Sequence, residues 1–106
     1  VKKIYPVTIF ATRYGGTYEG ASWGAAPCDY DALSFLATGD DLEAMDWWCE
    51  YSYIVGKGDR PDDAMLDLLV KLKDLVTILG VSGAHTVLRE RFGKFSTVSE
   101  RTLSEL

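Results

Sequence analysis

The chain has one histidine, His85, two cysteines, Cys28 and Cys49, and three prolines. With one histidine, no His/Cys/acid grouping shows the ligand spacing of a zinc motif. The paired acids Asp29-x-Asp31 and Asp40-Asp41-x-Glu43 do not follow a calcium loop, so capping and solvated charge account for them. Two cysteines are too few for a disulfide framework. A Ser-His-Asp or Cys-His pair meets only in space and stays open at this level, but no serine or cysteine sits in a nucleophile elbow. Gly56-Lys57-Gly58-Asp59 precedes a helix yet lacks the spacing and the Lys-Ser/Thr of a phosphate loop. The expectation is therefore a non-enzyme, with no catalytic residue, no metal and no cofactor assigned.

No run approaches the roughly 18 apolar residues of a membrane span. Val1-Lys2-Lys3-Ile4-Tyr5-Pro6 has no apolar h-region, so a cytoplasmic location is expected. The most informative lack is positive charge. Residues 14–56 contain no Lys or Arg but eight acids, whereas residues 1–13 hold three bases and residues 57–106 hold eight bases and eight acids. The net charge of −5 therefore comes from the stretch 14–56. Such a stretch is poorly suited to gripping phosphates. It suits a surface that repels nucleic acid or meets a basic partner; an ordinary solvated acidic face is the plain alternative.

What is present is core material: 106 residues, 47% apolar, with 3 Trp, 6 Tyr and 4 Phe. Disorder is excluded by that composition, and the length supports one domain over 1–106. Ile4–Arg13 alternates as a strand, Gly15-Gly16 punctuates a hairpin, and Thr17–Gly24 returns, with Gly20 a candidate bulge. Ala25–Gly39 reads as a loop with one helical turn. Asp40–Trp48 reads as a short helix, followed by a strand over about 49–55. The strongest helix signal covers 61–79, where Met65, Leu68, Leu69, Leu72, Leu75, Val76 and Leu79 form one stripe. Asp59 is its expected N-cap, Asp67 and Lys71 form an i,i+4 pair, and Gly80 ends it. A second helix over about 83–92, capped by Ser82 and stopped at Gly93, shows Val87, Leu88 and Phe92 on one side. Ser99–Leu106 suits a terminal helix or a frayed tail. The expected fold is α+β: a small antiparallel sheet of three or four strands packed on the long helix, with one or two helices after it.

Aromatic residues interleave with the acids from Tyr14 to Tyr53. Tyr and Trp are favoured at protein interfaces, and nucleic-acid stacking platforms would need cations that this stretch lacks. Nine rings are hard to bury in so small a domain, so part of the set is expected at a surface; the plain alternative is that most are core. Trp47, Trp48, Tyr51 and Tyr53 are the expected anchors for a protein partner, and Asp40, Asp41, Glu43, Asp46 and Glu50 the complementary charge. The expected partner is a basic nucleic-acid-binding protein. Direct nucleic-acid binding and membrane association are not expected, and a homodimer is compatible with the chain.

The element order over 4–79, with Tyr5-Pro6-Val7 near the first strand and Gly56-Lys57-Gly58-Asp59-Arg60-Pro61-Asp62-Asp63-Ala64 opening a long helix, resembles HicB-like antitoxins. The resemblance has residue-level detail only over 56–64, and the acidic-aromatic stretch 25–48 departs from it. It implies a protein that neutralises a small ribonuclease and represses its own operator. Leu79-Gly80-Val81-Ser82 looks like the turn of a helix-turn-helix, which would place Arg89, Arg91 and Lys94 against DNA. More loosely, the chain is similar to small phage and mobile-element inhibitors of restriction or CRISPR systems, which cover the nucleic-acid-binding face of their targets. The favoured reading is a non-catalytic inhibitor of this anti-CRISPR or anti-restriction type; the antitoxin is the alternative.

Overall fold

The computed structural model describes residues 4–12, 21–33 and 41–106. Among them the order is β1 (Thr8–Ala11), β2 (Trp23–Ala26), a 3-10 turn (Tyr30–Ala32), α1 (Asp41–Tyr51), a 3-10 turn (Ser52–Ile54), β3 (Gly56–Gly58), α2 (Pro61–Phe92) and α3 (Glu100–Ser104). The fold is α+β. Three antiparallel strands lie in the order β1-β2-β3, with Phe10 opposite Gly24 and Gly24 opposite Lys57. The Gly15-Gly16 hairpin, the Gly20 bulge and Asp40 lie outside the described residues.

The sequence expectation for β3 is corrected. The strand expected over 49–55 is instead the end of α1 and a 3-10 turn, and the ladder begins at Gly56. Trp47, Trp48 and Tyr51 recur at helical spacing toward one face, and burial of that face overrides the strand preference of aromatic residues. The Gly-Lys-Gly segment, outside the strand expected over 49–55, forms β3 because it lies directly on α2. A Cβ at Gly56 would run into the Ala64 carbonyl, and one at Gly58 would lie 2.5 Å from the Ala64 nitrogen. Only glycine allows a strand this close to a helix backbone. The helix reciprocates with Ala64, which is fully buried.

β3 is an edge strand, and α2 covers its outward polar groups. The Lys57 N–H donates to Asp67 at 2.8 Å, and Lys71 donates to the Val55 carbonyl at 2.9 Å. Asp67 and Lys71 also pair with each other at 3.0 Å. The expected i,i+4 pair thus does more than stiffen its helix. It satisfies an exposed edge that would otherwise invite pairing.

α2 is broken at Gly80, whose φ of 76° and ψ of 169° are non-helical. The N-cap is Arg60 rather than Asp59, with Pro61 at the first turn. The second segment starts at Val81, ahead of the expected Ser82 cap. Each segment buries three residues at four-residue spacing: Ala64, Leu68 and Leu72, then Ala84, Leu88 and Phe92. Leu79, expected in the stripe, is exposed because the break turns it out of the core.

The C-terminal residues dock rather than fray. Cys28 and Thr97 form an isolated antiparallel bridge, and the Thr97 hydroxyl donates to the Pro27 carbonyl at 2.9 Å. Ser99 caps α3 by accepting from the Thr102 N–H, and Val98 and Leu103 are buried in the common core.

Candidate protein-docking face on α1

Helix α1 has two unlike faces. Its inner face carries Trp47 and Trp48, only 4% and 3% exposed. Their rings meet edge-on at 5.1 Å, Tyr51 stacks on Trp47 at 4.7 Å, and Phe10 of β1 approaches Trp48 at 5.9 Å. Phe10 reaches them by lying across Gly24, where a Cβ would be 2.6 Å from its ring. Phe92, at the end of α2, closes the cluster against Tyr51 at 5.7 Å. Adjacent residues of a helix are about 100° apart, so both tryptophans fit within one wide apolar stripe.

Trp47 and Trp48, expected as partner anchors, are therefore corrected to core residues. Neither indole N–H finds a hydrogen-bond partner among the described residues. Their ring area is what the fold uses, since aromatic side chains bury more surface than any other type. Tyr51 is half-buried in the same cluster, and Tyr53 is 43% exposed.

The outer face is acidic with apolar residues set into it. Glu43, Asp46 and Glu50 are exposed, and so are Leu42 at 69% and Met45 at 40%. Leu42, Met45 and Cys49 follow three- and four-residue spacing, so they share one stripe. Asp41 is the first residue of the helix. Leu42 and Met45 were missed in the sequence because single apolar residues among acids look like ordinary core positions. With Trp47 and Trp48 assigned inward, the helical period alone places them outward.

The basic residues weighed for DNA binding sit in the last turn of α2 and just past it. Arg91 pairs with Glu50 at 3.8 Å and lies over the Tyr51 ring at 5.4 Å. Hydrogen bonding and charge interaction with Tyr53, then Tyr51, raise its pKa further above the ordinary value. Arg89 is half-buried and donates to the Thr86 hydroxyl at 3.2 Å, while Lys94 is exposed over the Phe95 ring. The break at Gly80 is one residue long, shorter than the roughly three- or four-residue turn of a helix-turn-helix. His85 Nδ1 lies 3.3 Å from a carboxylate oxygen of Glu100 on α3, close to it but outside hydrogen-bond geometry.

Cys28 is buried and Cys49 exposed, both as free thiols. Burial, reinforced by the charge of Asp29, pushes the Cys28 thiol up from 9.0 to about 12. A cleft of about 290 Å³ opens between Tyr53 and α2, lined by Lys71, Asp74, Leu75 and Ile78. Among the described residues no group of three or more His, Cys, Asp or Glu could hold a metal ion, and no helix is long and apolar enough to cross a membrane. No protein-family model matches the chain, and no curated protein or solved structure shows significant similarity to it.

Proposed function

We propose that the chain is a non-catalytic protein-binding module whose α1 outer face docks on a basic, nucleic-acid-acting protein and blocks it. The observation that carries this reading is the outer face itself, where Leu42 and Met45 stand exposed on a helix whose exposed charges are all acidic. Apolar contact area ringed by charge of one sign is the arrangement of a docking patch: the apolar residues supply affinity, the acids supply partner choice and fast association. A groove built to hold phosphates is basic, so an acidic face competes for it directly. The anchors are Leu42 and Met45, with Glu43, Asp46 and Glu50 as the complementary charge.

The test is affinity capture of the tagged chain from nuclease-treated bacterial lysate, read by mass spectrometry. Wild type should retain a basic nucleic-acid-binding protein that the Leu42→Ala/Met45→Ala variant retains at least tenfold less well. Equal retention by both chains contradicts the assignment. Loss of all retained proteins on nuclease treatment would point instead to the operator-binding antitoxin.

A further inference from the structure

The corner at Gly80 is built from features that only the folded-back form of α2 requires. Gly80 holds φ 76° and ψ 169°, a backbone region essentially confined to glycine. It is the sole non-helical residue between Pro61 and Phe92, so the whole reversal rests on two dihedral angles. Gly83, in the first turn after the corner, is crowded: a Cβ there would lie 2.9 Å from the Leu79 Cβ. In a straight helix, residues four apart hold their Cβ atoms about 5–6 Å apart, so that crowding belongs to the corner alone. Both glycines therefore serve the corner, and both weaken a continuous helix.

A continuous helix would also outgrow the molecule. Its 32 residues would span about 48 Å, against a longest molecular dimension of 35 Å. Straightening Gly80 thus carries Ala84, Leu88 and Phe92, with Val98 and Leu103 behind them, out of their own core. The surface they leave is shaped for one segment, and a second copy of this chain carries that same segment.

We propose that Gly80 is a hinge through which two copies of this chain exchange residues 81–106 in a domain-swapped dimer. Contacts between residues 81–106 and the body of the chain are then re-formed between copies, including the Cys28–Thr97 bridge and the Glu50–Arg91 pair. The exposed side chains beside the hinge account for the added interface. Ile78 is 77% exposed and Leu79 is 46% exposed in the closed chain. Two straightened helices crossing at their hinges bring these residues together across the two-fold axis. Short hinges between well-packed halves are the usual setting for such exchange.

The test compares Gly80→Ala with the same position carrying D-alanine, which accepts the positive φ of the corner. Light scattering should find Gly80→Ala mainly dimeric with wild-type helicity by circular dichroism, and the D-alanine chain monomeric. Gly83→Ala, which leaves the hinge residue untouched, should also raise the dimer fraction several-fold. In a mixed sample of isotope-labelled and unlabelled Gly80→Ala chains, the contacts between Cys28 and Thr97 should run between chains. A folded, monomeric Gly80→Ala overturns the proposal, and so does a dimer whose Cys28–Thr97 contacts stay within one chain. The latter would mark Ile78 and Leu79 as a contact between closed copies. If Gly80→Ala does not fold, wild type refolded at high concentration and Gly83→Ala decide by the same measurements. Monomer alone in both overturns it.

Discussion

Asp67 on α2 and Asp46 on α1 are both carboxylates on the flank of a helix, but the fold uses them differently. Asp67 accepts from the Lys57 N–H and pairs with Lys71, and so fastens the edge of β3. Asp46 stands exposed beside Met45, and its neighbour Glu50 makes one long pair with Arg91. Asp67 is structural equipment of the β3 edge, whereas Asp46 lies exposed on the outer face of α1. Net charge alone does not separate these two employments. What a carboxylate touches does.

Removing the structural side of this contrast should have the largest effects. Gly56→Ala places a methyl group into the α2 backbone and should destabilise the chain by about 3 kcal/mol or more in urea denaturation. A wild-type midpoint for that variant would mean that β3 does not rest on α2. Asp67→Ala leaves the Lys57 N–H without its acceptor and Lys71 without its partner. It should cost about 1–3 kcal/mol, most of it for the unsatisfied edge rather than for a half-exposed ion pair.

The two thiols sharpen the same contrast between the core and the α1 surface. A thiol reagent should label Cys49 in the native protein and leave Cys28 untouched until denaturant is added. Between pH 9.0 and about 12 the unfolded chain gives up the Cys28 proton while the folded chain keeps it. The thiol's contribution is therefore complete below that window and lost as pH rises through it. Stability should fall across the window, and Cys28→Ala should fall less steeply. The smallest effect belongs to Asp46→Ala, which should move stability by less than about 0.5 kcal/mol while weakening partner binding.

Where the sequence was legible, one physical signal dominated its segment. The 61–79 helix shows in the spacing of Leu68 and Leu72, and its end shows in Gly80, because burial of one face imposes a period of 3.6 residues. The Asp67–Lys71 pair was visible as a helical pair, but its role at the β3 edge depends on a contact ten residues back in the chain. β3 was hidden because Gly-Lys-Gly has no strand preference, and its conformation comes from close approach to Ala64. The acidic face was legible as a charge imbalance. The assignment of Trp47 and Trp48 was not, because interface and core demand the same side chains; their burial against Phe10, distant in sequence, settles which they are.

The proposed function requires the outer face of α1 to meet a basic surface. Its most direct test is the association rate of the captured partner as a function of ionic strength, for wild type, for Asp46→Lys/Glu50→Lys and for the α2 control Asp74→Lys. Electrostatic steering predicts a rate for wild type that falls steeply with salt. The α1 double variant should associate at least tenfold more slowly at low salt and show a flattened dependence, while Asp74→Lys follows wild type more closely. Indistinguishable curves for wild type and the α1 variant would contradict the account.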